Sequence, residues 1–451
     1  MIQNPQTTLR PFRPGMAVKN GKLYLFTDSG VCVVKVWPRP QAWERDELQP
    51  AWHACRPYIN LRDFSASGCR ELRRQPGCSE YTLPEDDGQL TFDFGEDVLL
   101  DPRLNWAYRM EEQCRRFLEK IPRELRRIIR LFPERHFDLL CLLARCGPAA
   151  AELLGETNPA LGFALALPRS FMRPAVQRPW RSVRALLRRR QRDIAARLGF
   201  APSEAGRRLL LKIPHESTRL ANLKALLRAM DDPFWLKALQ HAKRLNTGAL
   251  LIAGNAQLRR YASARFVQQL GNDVYQDRES YAVRQLRDVI EMRHLLPERR
   301  GAFCVHSLGE LAALHEEYVA TINGHGGTSA LAERTYPPPP LPDEGHTITA
   351  VKNTGELREL AQACSNCALT RNKRISEYYY VYRVEYKGEL ATLALSGEKG
   401  GIYRVEEMAG RRNARCSPAL RSEVCHWIQK HQPASMKVAA APISANSDRS
   451  M

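Results

Sequence analysis

The sequence predicts a multidomain α+β protein with three parts: a strand-rich N-terminal region, a mainly helical middle, and a small α+β C-terminal domain with a three-strand antiparallel meander. Short runs of β-branched and aromatic residues predict the N-terminal strands. Apolar residues three or four positions apart predict helices in the middle, and both patterns recur near the C-terminus. A chain of 451 residues has room for about three domains. The predicted boundaries are 1–100, 101–330 and 331–432, followed by a disordered tail at 433–451.

The N-terminal region contains two predicted pairs of strands. Residues 22–27 and 31–37 are apolar runs separated by the turn-forming residues 28–30, a pattern typical of a β-hairpin. Residues 80–83 and 90–94 form the second predicted pair.

The middle region predicts roughly ten short helices, arranged either as a bundle or as an irregular solenoid. It has no fixed repeat period, so a regular repeat array is not expected. Beyond residue 104 the predicted helices include 136–145, 181–198, 203–213, 218–230, 232–245, 262–270, 280–296 and 307–322.

A Gly-rich stretch at 324–328 and a proline-rich run at 336–342 separate the middle from the C-terminal domain. Four consecutive prolines favour the extended polyproline II conformation, which predicts a stiff spacer at a domain boundary. Beyond it the sequence predicts a helix from Thr354, strands at 378–386, 390–395 and 402–408, and a final helix from Ser417. The predicted buried face of this final helix is formed by Leu420, Val424, Trp427 and Ile428.

Charge is distributed unevenly along the chain. The sequence contains 68 Lys and Arg against 49 Asp and Glu, a formal net charge of +19. Residues 101–300 hold 39 basic and 20 acidic groups, which accounts for the whole excess. A basic region of this kind predicts a polyanionic partner, most often nucleic acid, either DNA or RNA.

Other classes of protein are excluded or disfavoured by composition. Hydrophobic residues make up 44% and charged residues 26%, which excludes wholesale disorder. No apolar run approaches the ~20 residues that cross a bilayer, so no membrane partner is expected. The N-terminus lacks an apolar signal core, and the 12 Cys are scattered. Together these features predict a cytoplasmic protein with reduced thiols.

The most basic segment, 181–192, predicts the surface that contacts nucleic acid. On one continuous helix, Arg184, Arg188 and Arg192 form a stripe about 12 Å long, which Arg189 and Arg190 widen. The alternative is an ordinary solvated helix face. Aromatic residues are sparse in this region, so phosphate contacts rather than base stacking are expected. Further predicted phosphate contacts are Lys212, Lys224 and Arg228.

Cysteines 364 and 367 have the spacing of a metal-binding knuckle, and Cys416, Cys425 and His426 follow. The eight residues between Cys416 and Cys425 fit zinc poorly, so neither a metal nor a cofactor is predicted. Cys367 with His426 is a weak candidate for a nucleophile and its base, because the sequence identifies no third, orienting group. Asn413 either binds an anionic ligand beside its neighbouring arginines or forms a local turn.

The C-terminal domain resembles the PcfJ-like family of proteins encoded on bacterial conjugative plasmids and other accessory elements. The resemblance rests on the proline-rich entry, Asn366-Cys367-Ala368, the strand 379–384, the strand 391–395, Gly410 to Asn413, and Trp427. Similarity to the family covers about 100 residues, and a looser similarity reaches back to Arg192. One departure lies at 370–374, where the family tends to have Tyr and Gly. The family has no settled activity to transfer.

Three functions follow as hypotheses. The leading one is a bacterial mobile-element or accessory protein, related to conjugation or defence, that binds nucleic acid through the basic helices. The first alternative is an enzyme acting on nucleic acid, with a site in the C-terminal domain at Cys367, Arg383 and Asn413. The second alternative is an adaptor whose basic face binds an acidic protein partner.

Overall fold

The computed structural model describes residues 15–26, 30–46, 51–62, 64, 73–74, 81–82, 102–171, 179–201, 204–272, 276–296, 303–324, 333–398 and 402–431. The chain divides into two compact units, one ending at Asn255 and one beginning at Ala256. The architecture is α+β, as predicted, with an antiparallel sheet at the N-terminus, helices in the middle, and a second antiparallel sheet with helices at the C-terminus.

The first unit begins with a five-stranded antiparallel meander in the order β1-β2-β3-β4-β5. The predicted hairpin is confirmed as β2 and β3, with Leu23 opposite Val34. Asn20 and Gly21 both have positive φ in the turn between β1 and β2, a conformation that Asn-Gly adopts readily. The strands are β1 Gly15–Lys19, β2 Lys22–Phe26, β3 Gly30–Lys35, β4 Gln41–Asp46 and β5 His53–Ala54.

Only one strand of the second predicted pair falls within the described residues. Strand β7 (Tyr81–Thr82) pairs with β6 (Arg73–Arg74), in a separate two-stranded sheet. The proposed partner at 90–94 lies outside the described residues, as do the predicted tail beyond residue 432 and most of the Gly-rich stretch.

Twelve α-helices between residues 102 and 253 complete the described part of the first unit. Helix α5 is buried from Ala160 to Ala166 and packs against several of the others, because a helix that is apolar all round must be covered on every side. The helices are α1 Pro102–Glu119, α2 Arg123–Arg130, α3 His136–Cys146, α4 Pro148–Glu152, α5 Pro159–Ala166, α6 Pro168–Phe171, α7 Pro179–Leu186, α8 Gln191–Arg197, α9 Glu204–Leu211, α10 Leu220–Met230, α11 Pro233–His241 and α12 Thr247–Ala253.

The prediction of a single helix over 181–198 is wrong. The chain forms α7 and α8 separately, and Arg190 between them is extended, with ψ 143°. Helix α7 packs on α3 and α6, whereas α8 packs on α5 and α9. The break follows from tertiary packing, since the apolar residues of the two halves are covered by different neighbours.

The second unit combines helices with a four-stranded antiparallel sheet in the order β11-β10-β9-β8. The three predicted strands are present as β9 to β11, and β8 adds a fourth strand at the edge beside β9. The predicted boundary near residue 330 lies inside this unit. The elements are α13 Ala264–Asn272, α14 Gln276–His294, α15 Leu308–Asn323, β8 Ile348–Ala350, α16 Thr354–Cys364, β9 Tyr379–Tyr386, β10 Glu389–Glu398, β11 Ile402–Gly410 and α17 Pro418–His431.

The proline-rich run packs against the sheet rather than acting as a spacer. Tyr382 Oη bridges the backbone of Leu341, lying 3.0 Å from both its N and its O. Tyr380 Oη donates to the carbonyl of Pro337 at 3.0 Å, and Trp427 Nε1 donates to that of Pro342 at 3.1 Å. Because proline lacks an N–H and still offers a carbonyl, side-chain donors can hold an extended run in place.

Within the part of the chain that the structure describes, none of the helices combines the length and the apolar character that crossing a bilayer requires.

Candidate functional site

A polar pocket of about 320 Å³ lies in the second unit. Helices α14 and α15 line one side, and the end of β11 with the turn that follows it lines another. A concave site with several convergent polar groups is the usual form of a ligand or catalytic site. The lining residues of this pocket are Tyr281, Arg284, Gln285, Asp288, His315, Glu407, Met408, Ala409, Asn413, Ala414 and Arg415.

Cys367 is fixed beside this pocket by the way helix α16 ends. Ser365 has φ 47°, which terminates the helix in the left-handed conformation. Asn366 then donates from Nδ2 to Thr392 Oγ1 at 2.9 Å and accepts from the backbone N–H of Ala368 at 3.1 Å. Cys367 is consequently buried, with 6% of its surface exposed.

The surroundings of Cys367 favour the neutral thiol over the reactive thiolate. Burial raises its pKa well above the usual value, and the nearby carboxylate of Asp288 acts in the same direction. A reactive cysteine requires the opposite, a pKa lowered by positive charge or a helix N-terminus. The hypothesis of Cys367 as nucleophile with His426 as base therefore receives no support, and His426 is exposed on α17.

Asp288 shares one guanidinium with two other carboxylates. Arg371 Nη2 lies 3.3 Å from Asp288 Oδ1 and 2.8 Å from Glu407 Oε2, and Arg371 Nη1 lies 3.7 Å from Glu291 Oε2. Burial raises the pKa of Asp288 to about 7, and the neighbouring guanidinium only partly opposes this rise. One buried cation is thus too little to compensate the surrounding carboxylates fully.

His315 lies on α15 and is 5% exposed. Among the described residues its Nε2 atom has no hydrogen-bond partner. Burial lowers the pKa of His315, which favours the neutral imidazole. An unsatisfied buried polar atom costs about 1–3 kcal/mol, so a group that paired with this nitrogen would stabilise the unit.

Of the three site residues predicted in this domain, Cys367 and Asn413 lie close together. Asn413 Nδ2 lies 4.0 Å from Cys367 Sγ, and Asn413 also forms a turn, with φ 57°. The predicted turn at Asn413 is therefore present, and binding of an anionic ligand there stays a prediction. Arg383 lies elsewhere, exposed on β9 and 2.9 Å from Glu385, and it is not among the residues that line the pocket.

Sequence reasoning missed four members of this site, namely Asp288, His315, Arg371 and Glu407. A signal for the first two was present, because each is a polar residue in phase with the apolar face of its helix. Asp288 lies four residues before buried Met292, and His315 lies four residues after buried Leu311 and four before buried Val319. A polar side chain at a buried helical position is a recognisable candidate for a functional site.

The predicted nucleic-acid contacts in the first unit separate into two groups. Arg188, Arg189 and Arg190 are exposed in the turn between α7 and α8, and no described carboxylate lies within ion-pair range of them. Lys224 is likewise exposed on α10.

The remaining predicted contacts are engaged within the protein. Arg184 donates to the carbonyl of Arg145 at 2.7 Å, and Arg228 to that of Gly254 at 2.9 Å. Lys212 donates to the carbonyl of Gln240, and Arg192 lies 3.6 Å from Asp193. The predicted stripe of Arg184, Arg188 and Arg192 is wrong as a feature of one helix, because the helix is broken.

Comparisons of the chain with protein-family models, with curated proteins and with solved structures find no match. The resemblance to the PcfJ-like family stays a prediction.

Proposed function

We propose that the chain binds nucleic acid through the arginine turn, defined as Arg188, Arg189 and Arg190. The observation that carries the proposal is three consecutive exposed guanidinium groups with no described carboxylate in ion-pair range. Arginine forks match phosphate oxygens, and phosphate contacts position a protein on nucleic acid. Lys224 supports the same role, because it is exposed within the same basic region.

The chemistry of this surface favours the phosphate backbone over the bases. The turn contains no aromatic side chain on which a base could stack. Binding is therefore weakly dependent on nucleotide sequence and strongly dependent on salt. The same proposal includes a role in a bacterial accessory element, which the family resemblance implies. It also includes a cytoplasmic location, which the composition implies.

Fluorescence anisotropy with labelled single-stranded and double-stranded DNA and RNA tests it. Neutralising the turn by Arg188→Gln, Arg189→Gln and Arg190→Gln should weaken binding at least tenfold at low salt and reduce the slope of log K against log salt by about 2–3. The matched control is Lys373→Gln, Arg383→Gln and Lys387→Gln, which removes the same charge from exposed positions of the second unit. Equal weakening by both triple variants would contradict a specific role for the turn. Absence of binding to every nucleic acid would leave the acidic protein partner as the better hypothesis.

A second candidate function is an enzyme acting on nucleic acid, and the pocket favours it. Asp288, His315 and Asn413 line one concavity, and Arg415 at its edge is suited to an anionic substrate. Cleavage of labelled DNA or RNA by the wild-type protein should be lost in Asn413→Ala and retained in Arg383→Ala, which alters a residue outside the pocket. Equal cleavage by wild type and Asn413→Ala would reject this pocket residue as part of the site that cleaves nucleic acid.

A further inference from the structure

Three side chains of different chemistry converge beside the pocket. Asp288 comes from α14, His315 from α15, and Cys367 from the segment after α16, and all three are buried. One carboxylate oxygen, one imidazole nitrogen and the thiol sulfur all lie within 4.8 Å of one another. A point therefore exists within roughly 2.8 Å of all three atoms, close to the 2.0–2.3 Å of zinc–ligand bonds.

We propose that Asp288, His315 and Cys367 bind a divalent transition-metal ion of the zinc class, with one coordination position facing the pocket. Nitrogen and sulfur donors select such an ion over Mg²⁺ or Ca²⁺, which prefer oxygen ligands. This site goes beyond the proposed nucleic-acid binding and does not depend on it.

The unsatisfied histidine is an independent observation for the ion. Among the described residues, the buried Nε2 atom of His315 has no hydrogen-bond partner. Ligand histidines commonly coordinate through one ring nitrogen and donate from the other. A metal with its bound water supplies the kind of partner that this buried ring lacks.

The charge around the three residues also favours a cation. Arg371 is the single guanidinium that Asp288, Glu291 and Glu407 share. Three carboxyl groups therefore face one cation, an arrangement that a second cation would complement. Arg371 holds one oxygen of Asp288 at 3.3 Å, the type of outer contact that orients a ligand carboxylate.

The number of protein ligands distinguishes a catalytic zinc site from a structural one. Structural zinc is enclosed by four protein ligands, whereas three ligands and an open position are typical of catalytic zinc. Asp288 and His315 line the 320 Å³ pocket, so the open position would be accessible to water or a small ligand. The proposed site includes Cys367 but not Cys364, the other cysteine of the knuckle pattern. It differs from the prediction, made from the sequence, that no metal is bound.

Metal analysis of the full-length protein tests the proposal. After exposure to zinc and exhaustive dialysis, the wild-type chain should retain about one zinc per chain, and its melting temperature should rise relative to chelator-treated protein. Cobalt(II) should produce a thiolate-to-metal charge-transfer band together with the intense visible bands of four-coordinate cobalt. Zinc below about one tenth of an equivalent, with no thiolate band, would overturn the proposal.

Variants distinguish this site from adventitious binding. Cys367→Ala should abolish the thiolate band, and His315→Gln should weaken zinc binding at least tenfold. Cys364→Ala is the matched control, because Cys364 is a buried thiol three residues away and outside the cluster. Retention of the band in Cys367→Ala would overturn the assignment. If Cys367→Ala fails to fold, His315→Gln and the wild-type stoichiometry decide the question.

Discussion

Arginines from two short basic segments that look alike in sequence occupy different environments. Arg188 to Arg190 is exposed in a turn, with no described carboxylate in ion-pair range. Arg371, in the basic segment 371–374, has only 13% of its side chain exposed and contacts three carboxylates. Local density of positive charge therefore does not distinguish a surface that can bind a polyanion from an arginine that compensates buried acids. The carboxylates that make the difference come from α14 and β11, far from Arg371 in sequence.

The largest expected effect on stability distinguishes an enclosed from an exposed arginine of the second basic segment. Arg371→Met should lower the free energy of unfolding by about 3 kcal/mol, because Asp288 then remains buried, and Glu407 partly buried, without their cation. Urea denaturation of the full chain, followed through the second unit, measures this loss. Arg374→Met is the matched control, since its ion pair with Glu406 is largely solvent-exposed and should contribute at most about 1 kcal/mol. Equal losses in both variants would show that the buried contacts of Arg371 carry no special weight.

The next smaller effect on stability concerns neutral hydrogen-bond donors, the hydroxyl groups of Tyr382 and Tyr380. Tyr382→Phe removes the hydroxyl that bridges Leu341 N and O, and should lower the free energy of unfolding by about 1–2 kcal/mol. Tyr380→Phe loses a single bond to Pro337 O and should cost less, about 1 kcal/mol. Differential scanning calorimetry of the two variants compares them. A larger loss from Tyr380→Phe would mean that the bridge at Leu341 does not hold the proline-rich run.

The smallest expected effects on stability concern Arg184, which lies just before the first basic segment, and Arg189 within it. Arg184→Ala should cost about 1 kcal/mol, because Arg184 donates to the carbonyl of Arg145 near the end of α3. Arg189→Ala should change stability by less than about 0.5 kcal/mol, since Arg189 is exposed in the turn. Thermal unfolding of both variants, paired with the anisotropy assay, should show stability falling with Arg184 and affinity falling with Arg189. The reverse pattern would assign the phosphate contact to Arg184.

Local sequence patterns predicted the elements whose buried faces have a simple period. The final helix has Leu420, Val424, Trp427 and Ile428 buried as predicted, and Ser417 accepts from the N–H of Leu420 at 3.2 Å. Asp232 caps α11 by accepting from the backbone N–H groups of Phe234 and Trp235. These features depend on residues two to four positions apart, which the sequence displays directly.

Contacts between residues far apart in sequence determined the features that local patterns did not predict. The helix predicted over 181–198 breaks because its halves pack on different neighbours, and the proline-rich run lies on the sheet because Tyr380, Tyr382 and Trp427 supply donors. The candidate metal ligands are brought together from α14, α15 and the end of α16 by packing alone. A helical period can indicate that Asp288 and His315 are buried. Only the tertiary structure shows that they meet Cys367, because no local pattern encodes the distance between side chains on separate elements.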